Sequence, residues 1–194
     1  MNKKELKEFL DAKVLQYNNP KFIATDPIQI PHRFHKKEDI EIAAFLTATI
    51  AWGNRKSIIN NATNMMRLFD NEPYNFILNH SENDLESLLG FVHRTFNGND
   101  LVQFVRSLKY IYLEYGGLEN ILASNADELS LQTAIHQLKK CFFEIDHLAR
   151  TTKHISDPLK GSAAKRINII NHIINAAYYS KCTNSSFGTL IWNS

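Results

Sequence analysis

Cysteine is scarce in this chain. Only Cys141 and Cys182 occur among 194 residues, far apart and without a CxxC pair, so no cysteine redox or metal pair is present and a reducing cytoplasm is the expected setting. Long apolar runs are missing as well. No segment approaches the ~20 consecutive apolar residues of a membrane helix, and Met1-Asn2-Lys3-Lys4-Glu5 opens on no signal-peptide run. The expectation is a soluble, cytoplasmic protein. Charge of one sign is not in excess: the net charge of +2 provides no global field toward nucleic acid, so any basic site has to arise from local clustering. There is no Gly-rich nucleotide loop, no GxSxG elbow, no repeat and no low-complexity segment. The eight histidines show no HExxH or paired metal spacing, and His147 and His154, which flank a turn, are the one place a metal could be sought. Neither a metal nor a cofactor is expected.

What is present is helical periodicity. With 44% hydrophobic and 11% aromatic residues the chain can bury a core, as one domain or two small lobes. Leu6, Phe9, Leu10, Val14 and Tyr17 form a first amphipathic stripe, closed by Asn18-Asn19-Pro20. Thr25 to Pro31, punctuated by two prolines, reads as an extended linker. It leads into His32-Arg33-Phe34-His35-Lys36-Lys37, the densest basic patch, which is either a phosphate contact or a solvated loop. Glu38 to Trp52 starts acidic and is then apolar nearly all round, the pattern of a buried helix. It stops at Gly53-Asn54-Arg55, and a new core-facing stripe follows at Ile58, Ile59, Ala62, Met65, Met66 and Phe69. Trp52 and Asn54 therefore occupy a sharp helix–helix corner. Further helices are expected at 74–79, 85–89, 101–115, 118–123, 129–149 and 163–178, with breaks at Asn97-Gly98-Asn99 and Gly116-Gly117. No alternating run argues for a sheet, so the class is all-α. His93-Arg94 beside Asn97 and Asp100 is either a polar cluster beneath a binding surface or a capped helix junction.

The stretch Ser156-Asp157-Pro158-Leu159-Lys160-Gly161-Ser162-Ala163-Ala164-Lys165-Arg166 carries the most chemistry. Pro158 and Gly161 break structure, and Ser162 can cap a helix whose apolar positions follow at Ile167, Ile170, Ile173 and Ile174. Such a turn aims backbone N–H groups and two cations at whatever lies above it, and phosphate is the usual occupant. DNA is therefore the first partner to consider. The same residues also fit a basic surface turn between two helices.

Several separated motifs, taken in order, carry a resemblance. Phe34 to Arg55, Pro73-Tyr74, Phe91 to Asn97 with Asp100-Leu101, and Ser156 to Arg166 together resemble a widespread bacterial family of proteins of unknown function, common in Bacteroidetes, over roughly residues 5 to 168. That family is in turn distantly similar to the helix-hairpin-helix (HhH-GPD) DNA glycosylases, which include endonuclease III and the 8-oxoguanine glycosylases. The resemblance implies a two-lobed bundle of about nine helices, here incomplete at its C-terminal end, within a single all-α domain over 1–194. Its lobes would be 1–37 plus 150–194, and 38–149.

The resemblance also implies base excision. Such enzymes flip the target nucleotide out of the stack, and a lysine amine attacks the sugar C1′ while a carboxylate stabilises developing positive charge. Gly161 to Lys165 reproduces the family's glycine-to-lysine offset, making Lys165 the candidate nucleophile, with Arg166 lowering its pKa or binding phosphate. Trp52, Asn54 and Arg55 stand where the family's corner enters the gap left by the flipped base. Lys160, Gly161, Ser162 and Arg166 complete the implied DNA contacts. The family's second hairpin glycine is Ala163 here. Its essential aspartate falls in a later Leu-Asp-x-His motif, whereas this chain has no Asp or Glu after Asp157. Where a tryptophan- and arginine-bearing helix is expected, the residues after Arg166 run Ile167-Asn168-Ile169-Ile170-Asn171-His172. Phe187-Gly188 and Ile191-Trp192 are faintly similar to the next motif.

The expectation is thus a DNA-binding, glycosylase-like protein, truncated or altered and catalytically inactive in this form, with Lys36, Arg55, Lys165 and Arg166 converging on one face. The alternatives are a non-catalytic helical interaction module, marked by scattered cations and an exposed apolar patch, and an RNA-directed protein using the same cleft.

Overall fold

The computed structural model describes residues 2–17, 20–125 and 130–168. Among them nine α-helices follow one another: α1 (Lys3–Tyr17), α2 (Pro20–Ile23), α3 (Lys37–Thr49), α4 (Arg55–Leu68), α5 (Pro73–Asn79), α6 (Glu82–Leu88), α7 (Gly98–Tyr115), α8 (Leu118–Ser124) and α9 (Gln132–Phe142). Short 3-10 turns stand at Pro27–Gln29, Pro31–Arg33, Ala149–His154 and Pro158–Lys160, and residues 165–168 are again helical. The fold is all-α, and among the described residues no helix is long and apolar enough to cross a membrane. The stripe at Ile170, Ile173 and Ile174, together with Leu129, His172, Cys182, Phe187 and Trp192, lies outside the described residues.

The core is built around α3. Every residue from Ile40 to Thr49 is buried, because a helix that is apolar nearly all round has to be covered on all sides. Phe45 at its centre meets Phe104 of α7 at 5.8 Å and Phe142 of α9 at 5.5 Å between ring centroids, and those two rings stand 4.8 Å apart. Three aromatic side chains from three helices thus fix how α3, α7 and α9 sit together. The amphipathic α4 packs from outside through Ile58, Ala62, Met65 and Met66. Buried apolar residues from Ile30 to Ile167 form one cluster.

One carboxylate enters this core. Glu41 of α3 accepts a hydrogen bond from the Tyr112 hydroxyl at 2.8 Å and has Lys37 Nζ at 3.8 Å. Burial raises its pKa, with the Tyr112 hydrogen bond and the Lys37 charge pulling the other way.

Local chemistry accounts for the places where the structure departs from sequence expectation. The Thr25 to Pro31 stretch is not extended: Pro27 and Pro31 each open a 3-10 turn, where proline's fixed φ and missing N–H do no harm, and Asp26 caps the first by accepting from Ile28 N at 3.1 Å. Asn97-Gly98-Asn99 is the start of α7 and no break. Asn97 and Asp100 form a reciprocal capping box, and a Cβ at Gly98 would collide with the backbone of Leu89. A small antiparallel ribbon, β1 (Val92–His93) paired with β2 (Phe96–Asn97), precedes it and was too short to leave an alternating pattern. The helix expected over 129–149 ends at Phe142, after which the chain turns so that Arg150, Thr151 and His154 reach Asp100 of α7. The helical turn at 165–168 starts after Ala164, whose carbonyl accepts from Ile167 N at 3.0 Å and Asn168 N at 3.1 Å, so Ser162 is not its cap.

Candidate nucleic-acid interface

The corner after α3 follows from its residues. Gly53 adopts φ 106, a left-handed backbone that glycine takes without strain, and Asn54 then caps α4 by accepting from Ser57 N at 3.3 Å. Trp52 is half-buried between segments distant in sequence. Its ring is stacked at 6.1 Å and 18° with His154, and His93 meets it nearly edge-on at 5.3 Å. The Arg166 guanidinium carbon lies 5.0 Å from the Trp52 ring centre, and Arg166 Nη1 donates to the Thr49 carbonyl at 2.9 Å. That carbonyl closes the last turn of α3, where a cation complements the helix dipole.

Beneath the tryptophan lies Asp100, with no exposed surface. Its carboxylate accepts from the Thr151 hydroxyl at 2.7 Å, from Arg150 Nη2 at 3.1 Å and from Asn97 N at 3.1 Å, with His154 Nε2 at 3.4 Å. Burial lowers the pKa of His154 and the neighbouring Lys153 and Arg166 add to this, against the pull of Asp100, so its ring is held neutral. Burial also lowers the pKa of Arg166.

The 156–162 turn is differently arranged from the expected phosphate cradle. Asp157 is buried, and its Oδ1 accepts from His136 Nδ1 at 3.0 Å and from Leu159 N at 3.2 Å. Burial pushes the Asp157 carboxyl up, but the His136 hydrogen bond and charge, the Leu159 N–H and the Lys139 charge together hold its pKa below the ordinary value. The N–H groups of Lys160 and Ser162 donate to the Asp157 carbonyl, that of Gly161 to Pro158, and that of Ala164 to Ser162 Oγ. These four donors are engaged inside the turn and are not aimed outward at a ligand. Lys160, Gly161, Ser162 and Lys165 are exposed, and Gly161 is required by its φ of 83, since a Cβ there would meet nothing within 4 Å.

The expected cations divide between places. Arg166 turns inward onto Trp52 and Thr49, while its neighbour Lys165 is exposed. Arg55 stands at the same corner, 3.7 Å from Asp26 and 5.8 Å from the Phe22 ring centre. Lys36 does not join them. It lies over the Tyr74 ring at 4.1 Å, at the start of α3, and that helix of 13 residues places its two ends about 20 Å apart. Lys37 of the same basic patch pairs with Glu119 and Glu41.

Residues that sequence reasoning left aside complete the corner. The His93–Asp100 segment is both a capped junction and a buried polar cluster. Arg94, at the tip of the β1–β2 ribbon, lies against Gly53, and Arg150, Thr151 and His154 come from the 3-10 turn just beyond the helix expected over 129–149. The Asn97-x-x-Asp100 spacing was the available signal for a cap, but nothing local indicated its partners. His147 is taken up locally, its Nδ1 2.8 Å from the Ile145 carbonyl, and no group of three metal-ligating side chains occurs among the described residues.

A family model described as "Protein of unknown function (DUF2400)" matches residues 26–171, which is more than half of the chain. No curated protein and no solved structure matches it.

Proposed function

Since the chain belongs to the DUF2400 family, we propose from the geometry of its corner that it is a nucleic-acid-binding, DNA-glycosylase-like protein that contacts a phosphodiester backbone and performs no base excision through Lys165. The observation carrying this reading is the helix–helix corner at Trp52 to Arg55, where Arg166 lies on the Trp52 ring, Arg94 lies against Gly53, and Arg55 opens α4 beside Asp26 and Phe22. Guanidinium forks suit phosphate oxygens, and with a net charge of only +2 the exposed Arg94 is a cation of the corner without a carboxylate partner among the described residues. Base excision would require a carboxylate facing the Lys165 amine. Among the described residues no carboxylate pairs with Lys165, and the buried Asp100 and Asp157 are taken up by Thr151, Arg150, His136 and Leu159.

The test is binding of the chain to intact and abasic duplexes at two salt concentrations, with borohydride present to trap a Schiff base. Salt-sensitive binding without an adduct is the expected result. An adduct lost in Lys165→Ala would overturn the inactive part of the reading, and a clear preference for RNA would move the same surface to an RNA partner.

The second reading, a helical interaction module, has one observation in its favour. The apolar stripe of α1 is open, with Leu6, Phe9, Leu10 and Val14 all exposed. Absence of nucleic-acid binding in the same experiment would leave this reading standing.

A further inference from the structure

We propose that Arg94 is the phosphodiester-binding residue of this surface, held out by the β1–β2 ribbon and braced across Gly53; this rests on the nucleic-acid reading above. Two consecutive ribbon residues latch onto two consecutive corner residues. His93 Nε2 donates to the Trp52 carbonyl at 3.3 Å, and Arg94 covers Gly53 so closely that a Cβ there would stand 2.6 Å from Arg94 Nη1 and 3.5 Å from its Cδ and Cζ. The guanidinium therefore lies along the corner backbone instead of trailing in solvent.

The backbone of Arg94 carries a second sign. It adopts φ 56, a left-handed conformation that glycine or asparagine takes readily and a long side chain does not. Strain of this kind persists only where the surroundings enforce it. They do so here. Arg150 Nη2 donates to the Thr95 carbonyl at 3.0 Å from one side of the tip while also binding Asp100, and Asn97 at the ribbon's far end is locked into the capping box of α7. The tip is thus rigid, which lowers the entropy lost when a ligand is bound.

Charge completes the case. Arg55, Arg106 and Arg150 each have a carboxylate, in Asp26, Glu82 and Asp100. Arg94 is exposed and, like Arg33 and Arg67, has no carboxylate partner among the described residues; what sets it apart is its place against the corner backbone. An uncompensated planar fork on a rigid support, with Arg166 and Arg55 on the same corner, matches the two non-bridging oxygens of a phosphodiester.

The experiment is fluorescence-anisotropy titration of labelled DNA, single-stranded and duplex, with the full chain at about 50 and 200 mM salt. Wild type is compared with Arg94→Asn and with Lys140→Gln, a charge-matched change on an exposed residue of α9. Arg94→Asn should weaken binding about five- to tenfold at low salt and reduce the salt slope by about 0.9, the value for one phosphate contact. Its thermal midpoint should not fall, because asparagine tolerates the left-handed backbone; Lys140→Gln should change neither quantity. If Arg94→Asn binds with wild-type affinity and slope, the assignment of Arg94 fails while the nucleic-acid reading stands. If wild type binds neither DNA, both fail. Loss of polyglutamate binding by Arg94→Asn with DNA binding intact would assign the arginine to an acidic protein partner and overturn the proposal.

Discussion

Replacing Asp100 by alanine should be among the most damaging single changes in this fold. The carboxylate has no exposed surface and accepts from the Thr151 hydroxyl, Arg150 and the Asn97 N–H. Its loss leaves the Thr151 hydroxyl, itself fully buried, and the cap N–H without acceptors, at about 1–3 kcal/mol for each orphaned group. Arg150 is partly exposed and turns to water, so it adds little. The sum is about 2–6 kcal/mol, a large fraction of the roughly 5–15 kcal/mol that holds an ordinary domain together, and the thermal midpoint should fall by about 10 °C. An internal control exists in the same chain. Ser81 and Asp84 form a second capping box at the start of α6, with the same reciprocal hydrogen bonds but on the surface. Urea unfolding of Asp100→Ala and Asp84→Ala, followed by circular dichroism, separates the buried network from the cap that both share. The expected outcome is a far greater shift in midpoint for Asp100→Ala at similar m value. Equal shifts would show that Thr151 and Arg150 contribute nothing through Asp100, and the reasoning would fail.

Stability should also depend on pH through His154. Burial holds its folded pKa below the ordinary value, so below about pH 6.5 the unfolded chain binds a proton that the folded one does not; stability therefore falls as pH drops through that range, and His154→Phe should flatten this part of the profile in urea titrations. Gly53→Ala and Gly161→Ala should each cost about 1–2 kcal/mol, because both residues have positive φ. The exposed Arg94 side chain beside Gly53 can swing aside and adds little to the first. Thermal melts with no loss for either variant would refute the argument from the left-handed backbone.

The local part of this fold was legible because its signals are local. The all-round apolarity of residues 40–49 marked α3 as buried, and Gly53-Asn54 marked the corner, each through the chemistry of a few adjacent side chains. What escaped was whatever depends on partners far along the chain. Pro27 and Pro31 punctuate a segment equally well whether it is extended or wound into 3-10 turns, and only packing against α3 decides. Thr151 and His154 lie past the end of the helix expected over 129–149, and nothing near them indicates that their partner is Asp100, about fifty residues earlier. Glu41 looks like an ordinary acid near a helix start, and its burial follows from Tyr112. At the site, the corner was placed correctly, but Arg166 was expected to face outward beside Lys165. A single sequence does not reveal which of two adjacent residues on a helix turns inward.

That inward turn bears on how the corner can act. For Trp52 to enter a gap in a base stack it must leave the ring of His154, and Arg166 must leave the Trp52 face and the Thr49 carbonyl. The contacts to be broken include a cation–π pair and a charge-assisted hydrogen bond, together about 2–4 kcal/mol, before anything is gained from stacking on a base. Arg94 and Asn54 face no such barrier, since they are already exposed on a braced backbone. The two halves of the expected interface therefore differ in readiness. Under the proposed reading, phosphate contact needs no rearrangement of the corner, whereas base insertion requires rearrangement of the residues that seal α3. Backbone contact is then expected first and without sequence preference, with insertion only on a strand whose lesion has already removed the cost of unstacking.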